Sequence, residues 1–315
     1  MSKSARPTEA AQNSADSASP AAAPSGRQAR IVLSLLALYL IWSSTYLALR
    51  VVVESLPPLL MVSGRFLCAG LIMTVVLAVR GAPWPTLREL AAAIPGGILF
   101  FLIGNGLVAV AEQVVPSGVA ALLCATMPLC AAAINALSGQ RPRRLEWLGL
   151  LLGFAGVVTL CLGKELRANL GSSALLLLAP IGWALGSTVA RRMPMAKGLM
   201  AGATQMLTGG AAALVVALLR GEHFPAVWPL PAVLSLGYLV VFGSLVAFSA
   251  YTYLLSNTRP ALAMSYAYVN PGLAVLLGAL LGHETLAPET LMASGLIVVA
   301  VVLIALPSSR RSSAS

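Results

Sequence analysis

From Ile31 to Leu306 the chain is a succession of apolar runs, each about twenty residues long and closed by a short polar break. Wound as an α-helix at about 1.5 Å per residue, such a run crosses the roughly 30 Å hydrocarbon layer of a bilayer. Hydrocarbon offers no partner to a backbone N–H or C=O, so spanning chains are helices or closed barrels. These runs are about twice the length of a barrel strand. The expected fold is therefore an all-α integral membrane protein. Ten transmembrane helices are expected, over 31–49, 58–79, 90–111, 117–138, 145–163, 173–190, 199–219, 231–253, 261–281 and 287–306. Composition agrees: 58% of residues are hydrophobic and 10% charged, where a water-facing surface needs about a quarter.

Residues 1–30 are Ala/Ser/Pro-rich and too polar to bury anything, so they are expected to form a disordered cytoplasmic tail. Residues 307–315 form a second, short cytoplasmic tail. Arg27 and Arg30 ahead of Ile31 imitate a signal peptide, but the first run is long enough to span and further runs follow it.

The net charge of +10 could point to nucleic acid. Its placement points to topology instead. With the N-terminus inside, the inner segments hold Lys3, Arg6, Arg27, Arg30, Arg80, Arg88, Arg141, Arg143, Arg144, Arg191, Arg192, Lys197, Arg259, Arg310 and Arg311, fifteen in all. The outer loops hold four: Arg50, Lys164, Arg167 and Arg220. That bias predicts both termini in the cytoplasm. The bilayer, not nucleic acid, is the expected partner.

The punctuation repeats. A shift of 143 residues lays Pro128 on Pro271, Gly139 on Gly282 and Glu146 on Glu289. The first and sixth spans correspond as well, since Trp42 precedes Arg50 by eight residues and Trp183 precedes Arg191 by eight. The chain thus reads as two units of five spans, 31–163 and 173–306. Five is odd, so the second unit must start on the opposite side of the membrane, and the halves are inverted. Inverted repeats with interrupted helices mark secondary transporters, whose site lies near the midplane between them. Pro95, Pro128, Pro180 and Pro271 interrupt spans, and each frees a carbonyl that a polar cavity or a neighbouring helix must satisfy. The repeat-related pair Pro128 and Pro271 is read as a pair of functional helix bends. Gly149/Gly153, Gly182/Gly186 and Gly278/Gly282 permit close helix contact.

Ionisable and polar groups inside the spans single out candidate residues. Arg65 lies about seven residues into its span, roughly 10 Å below the outer surface, and either snorkels to headgroups or serves the site. Glu112 closes the third span, either as a solvated helix end or as a partner of Arg65. The two are expected to form a coupling ion pair in one state of a transport cycle. Asn105, Tyr268 and Asn270 are expected on a substrate cavity, and Trp42, Tyr46 and Trp183 on its aromatic wall, suited to amphiphiles or cations. On the ninth span Tyr266 and Asn270 share one face, Ser265 and Tyr268 another.

Several chemistries lack their residues. No G-x-x-x-x-G-K-[ST] or G-x-S-x-G occurs, and no carboxylate pair lies within a span. His223 and His283 lie far apart in loops, and Cys68, Cys124, Cys130 and Cys161 include no C-x-x-C pair, so buried thiols are expected rather than disulfides or metal ligands. No cofactor, no metal and no catalytic residue is expected.

Four stretches carry a family resemblance: YLIWSSTYLALRVVVESLPPLLMVSGRFLCAG (39–70), GNGLVAVAEQVVPSGVAALLCATMP (104–128), RRLEWLGLLLGFAGVV (143–158) and SYAYVNPGLAVLLGALLGHETL (265–286). In them the chain resembles the EamA family of the drug/metabolite transporter superfamily, nearest its YedA-like bacterial inner-membrane branch. The resemblance spans 31–306 and implies ten helices in two inverted EamA repeats that export small metabolites or drugs without ATP. Two departures stand out. The family's Trp-Gly in the first helix is Trp42-Ser43 here. The Gly-x-Glu that ends the ninth helix, Gly282-His283-Glu284, has Gly139-Gln140-Arg141 as its first-repeat counterpart.

The resulting expectation is a secondary transporter of the bacterial inner membrane, not an enzyme. It would export small, amino-acid-like metabolites or amphiphilic drugs by proton antiport. The alternatives are an exchanger or uniporter of the same fold, or a membrane enzyme or lipid-handling protein using the same cavity. Expected partners are a small-molecule substrate, protons and the lipid bilayer, with room for a homodimer.

Overall fold

A computed structural model describes residues 26–137, 144–163, 169–190, 192–258, 262, 265–285 and 287–305. Residues 1–25, Gly139-Gln140-Arg141 and the C-terminal tail lie outside them. The described residues contain helices and no strand. In chain order these are α1 (Gly26–Val53), α2 (Pro58–Val79), α3 (Leu87–Ala111), α4 in two pieces (Ser117–Cys124 and Met127–Leu137), α5 (Arg144–Leu162), α6 (Leu170–Ala190), α7 (Leu199–Leu219), α8 (Leu230–Asn257), α9 (Tyr266–Leu281) and α10 (Pro288–Ala305). Among the described residues, seven stretches are long and apolar enough to cross a membrane, and Trp147–Leu162, Val269–Leu281 and Pro288–Leu303 are apolar but shorter.

Local chemistry sets several ends. Pro58 occupies the first turn of α2, where the missing N–H costs nothing. Thr86 and Glu89 form a reciprocal cap on α3: the Thr86 Oγ1 accepts from the Glu89 N–H at 3.2 Å, and Glu89 Oε2 accepts from the Thr86 N–H at 2.8 Å. Helices α2 and α7 stop alike. Gly81 (φ 87°) and Gly221 (φ 70°) turn left-handed, so Ala82 N–H reaches Leu77 O at 2.9 Å and Glu222 N–H reaches Ala217 O at 3.0 Å. Several boundaries differ from expectation by a few residues, those of α1 and α8 among them. Helix α1 begins at Gly26, five residues inside the expected tail; the Arg27 Nη2 donates to Asn257 O at 3.0 Å, satisfying a carbonyl at the end of α8. Helix α8 runs on to Asn257, past the expected residue 253.

The halves interlock in exchanged pairs. Helix α2 packs along α7, and α5 along α10. Helix α1 lies on α8 and α9, while its repeat mate α6 lies on α3 and α4. The α2–α7 seam is close because a Cβ at Gly70 would stand 2.9 Å from Leu207 Cγ, and one at Gly210 would stand 3.0 Å from Leu67 N. The exterior is apolar: Leu151 is 65% exposed, Phe154 70% and Leu280 64%. Such a surface is stable against lipid tails and not against water.

The prolines behave differently from one another. Helix α4 breaks at Ala125-Thr126, immediately before Met127-Pro128, and the Thr126 Oγ1 donates to Leu123 O at 2.6 Å across the break. Helices α6 and α9 continue through Pro180 and Pro271 without interruption. Downstream of Pro95, α3 widens into a π-helical stretch over Ile98–Gly106. Helix α8 widens likewise over Leu239–Val246. No periodicity argument anticipated these widened turns, which form where an extra residue is taken into the helix, often at functional sites.

Candidate functional site

A cavity of about 140 Å³ lies where the two halves meet. Helix α1 supplies Trp42 and Tyr46 to its wall, α2 Arg65, and α3 Asn105. Pro128 comes from α4, Trp183 from α6, and Asn270 and Pro271 from α9. Glu112 is not on that wall, and the side chain of Tyr268 lies outside those described. On α9 it is Tyr266 that faces the cavity together with Asn270, one helical turn apart.

The two tryptophans sit in equivalent seats. The Trp42 indole donates its Nε1–H to Gly243 O at 3.2 Å in the widened part of α8. Trp183 lies against Gly104 in the widened part of α3, so close that a Cβ there would overlap the indole ring. Each glycine precedes a polar residue on the cavity wall: Asn105 after Gly104, Ser244 after Gly243. The Asn105 Nδ2 donates to Phe100 O at 2.9 Å, and the Ser244 hydroxyl donates to Leu239 O at 3.0 Å, both five residues back. Widening each helix exposes these carbonyls, and the polar side chain closes on them. The sequence did hold a signal: Gly104-Asn105-Gly106-Leu-Val-Ala and Gly243-Ser244-Leu-Val-Ala differ by one inserted residue. The two motifs stand 138 to 139 residues apart rather than 143, so a single fixed shift does not align them.

Trp42 is further enclosed by Tyr266, edge-on at 4.8 Å between ring centres, and by Tyr251 at 5.5 Å. Beside it Ser43 is fully buried, and its hydroxyl donates to Tyr39 O at 2.5 Å.

Arg65 is 6% exposed. Its Nε donates to Ser244 Oγ at 3.0 Å, and its Cζ stands 4.7 Å from the centre of the Phe66 ring. Glu112 is 0% exposed, and neither carboxylate oxygen has a hydrogen-bond partner among the described residues. The two residues are not in contact; the ion pair among the described residues is Arg50–Glu54, at 3.1 Å. Arg50 also donates from Nη1 to Glu112 O at 2.6 Å and to Val115 O at 3.0 Å, tying α1 to the turn after α3.

A second carboxylate has a structural task. Glu284 receives the Ser117 N–H at 2.7 Å on Oε1 and the Gly118 N–H at 3.0 Å on Oε2. It thereby caps the start of α4 from the turn beyond α9, where the positive end of the helix dipole favours an anion. His283, left-handed at φ 52°, makes that turn, and the Glu284 N–H closes it on Gly278 O at 3.0 Å. Glu222 caps α2 similarly, accepting from Leu59 and Leu60 N–H at 3.0 and 2.9 Å. Sequence reasoning noted Glu284 as a motif residue without finding this role, because its partner is more than 160 residues away.

Known proteins are similar to this chain. The chain is 46% identical over 274 residues to the uncharacterized inner membrane transporter YedA of Escherichia coli (strain K12), covering 87% of this chain and 90% of YedA. It is 24% identical over 295 residues to the uncharacterized transporter YvbV of Bacillus subtilis, covering 91% and 95%. A solved crystal structure at 21% identity superposes with a TM-score of 0.61, covering 89% of this chain and 98% of that one, which is a likeness of fold. The family model for the EamA-like transporter family matches twice, over residues 29–162 and 171–306, one match to each half of the bundle. The chain therefore belongs to the EamA-like transporter family.

Proposed function

We propose that this chain is a secondary transporter of the bacterial inner membrane that exports small metabolites or amphiphilic compounds by proton antiport. In this reading all ten helices span, the halves are inverted, and both termini are cytoplasmic. The exchanged helix pairs and the equivalent seats of Trp42 and Trp183 support an inverted duplication, and the Lys/Arg bias supports the orientation.

One observation carries the coupling: Glu112 is a fully buried carboxyl whose oxygens have no hydrogen-bond partner among the described residues. A carboxylate in that position needs a cation, and a neutral acid needs a proton; a proton carrier alternates between the two. Arg65 is the partner of Glu112 in another state of the cycle. Trp42, Tyr46, Asn105, Trp183 and Asn270, with Tyr266, hold the substrate in the cavity, and Pro128 and Pro271 mark where α4 and α9 yield as access alternates.

Purified protein in proteoliposomes tests this. Imposing a pH gradient should drive substrate against its own gradient, and counterflow should return labelled substrate chemically unchanged. A product of altered chemistry would replace transport with catalysis. Counterflow without response to the pH gradient would leave a uniporter or exchanger.

A further inference from the structure

The cavity has one charged group on its wall, Arg65, and no aspartate or glutamate among the described residues lining it. Arg65 is 6% exposed, yet its guanidinium uses a single donor on the protein, the Nε–H to Ser244 Oγ. The N–H groups of Nη1 and Nη2 have no acceptor among the described residues. Ser244 fixes the plane of the group, since its own hydroxyl is tied to Leu239 O. Gly243 gives the group room: a Cβ there would stand 3.1 Å from Nη2. The result is an oriented, half-used fork inside an apolar chamber. On the same cavity wall, Asn270 is 8% exposed and its Oδ1 has no donor among the described residues.

We propose that the cavity takes a small carboxylate, held by the free edge of the Arg65 guanidinium, with a hydrogen-bond donor of the ligand satisfying Asn270 Oδ1. This rests on the transporter reading above and names its substrate class. A guanidinium with two parallel N–H groups exposed matches the two oxygens of a carboxylate. An unpaired buried cation also repels cationic ligands, so the aromatic wall of Trp42 and Tyr266 serves the ligand's apolar body rather than a quaternary ammonium group. A lone neutral ligand would leave the charge of Arg65 uncompensated in a low-dielectric site.

Matched ligand sets decide the question. Benzoate, benzamide and benzylammonium share one ring and differ in charge; lactate and serine are set beside lactamide and serinamide. Each is titrated against the purified protein, with thermal stabilisation as the readout. The expected result is stabilisation by one or more carboxylates, with the paired amide about tenfold to a hundredfold weaker, as for hydrogen bonds to a charged group. Arg65→Gln should abolish the carboxylate preference. Should that variant fail to fold, Arg65→Lys keeps the charge without the fork and Ser244→Ala releases Nε; both should shrink the preference by severalfold. Equal binding of carboxylate and amide overturns the proposal, as does preferential binding of benzylammonium or binding by none of the carboxylates. Vesicle counterflow separates this from the transporter reading: bound carboxylates that are never carried would sink transport alone, and carried amides or cations would sink the carboxylate class alone.

Discussion

The Trp42 indole N–H and the Gly243 carbonyl, 201 residues apart in sequence, meet at 3.2 Å and join the first helix of one half to the widened helix of the other. With the halves exchanged, Trp183 packs its indole ring against the Cα of Gly104. The site is thus built twice from the same parts, a tryptophan facing a glycine where an extra residue loosens the helix.

That relationship predicts an order of damage. Trp42→Phe keeps an aromatic side chain of smaller size and loses the bond, which itself contributes about 0.5–1.5 kcal/mol. Gly243→Ala should cost more, about 1–3 kcal/mol, because its Cβ would stand 2.9 Å from Thr45 Cγ2 and 3.1 Å from Arg65 Nη2. Thermal melting in detergent measures both. Equal, negligible shifts would show that the widened stretch of α8 is loosely packed.

Glu284 offers a cleaner separation of fold from transport. Glu284→Gln retains one acceptor oxygen for α4, whereas Glu284→Ala retains none and leaves the Ser117 and Gly118 N–H groups uncapped. Alanine should cost about 1–3 kcal/mol and glutamine roughly half of that. The comparison to make is melting temperature across the three proteins. Identical loss for both variants would mean that charge, not hydrogen bonding, holds the cap.

How far the sequence went follows from which distances it can sense. Span lengths, the Trp42/Trp183 and Pro128/Pro271 equivalences and a family assignment all come from patterns within a few tens of residues. Polar and aromatic residues in apolar spans are costly enough to be conspicuous, so Trp42, Tyr46, Asn105 and Asn270 could be named and the structure places them around one cavity. Tyr266 was passed over because helical spacing gives two faces without saying which one looks inward. Ser244 and Glu284 were missed for a different reason. Each acts on a residue in the other half, through a pairing that only the folded bundle creates.

The repeat-related prolines should also separate. Pro128 follows a break in α4, while α9 runs unbroken through Pro271. Pro128→Ala should let α4 close across Ala125-Thr126 and slow transport more than Pro271→Ala does, with expression of both largely intact. Initial transport rates in membrane vesicles give the ranking. A double variant with normal rates would assign both prolines to packing.

Orientation rests on the fifteen-to-four distribution of Lys and Arg. A fluorescent reporter fused after Leu306 should therefore fluoresce, and a phosphatase that works only in the periplasm should stay silent there. An active phosphatase at that position would require an odd number of spans. The halves could not then be inverted.

Glu112 and Arg65 set the sign of coupling. In this structure Arg65 rests on Ser244 and the Glu112 oxygens are unpaired. A ligand that bears only a carboxylate takes Arg65 and leaves Glu112 to a proton, so ligand and proton load together. A ligand that also carries an ammonium group can neutralise Glu112 itself and displace the proton. Antiport requires the second linkage: affinity for the transported compound should rise with pH, by up to about tenfold per pH unit where Glu112 titrates. Glu112→Gln should make binding independent of pH and abolish drive by the proton gradient, yet keep counterflow. Arg65→Ala should weaken folding and binding more severely, and adding Glu112→Gln should restore part of the folding loss, since no lone buried carboxylate remains. Strictly additive single defects would show that the two never pair. Affinity that falls as pH rises would mean that proton and substrate travel together, and antiport would give way to symport within the same cavity.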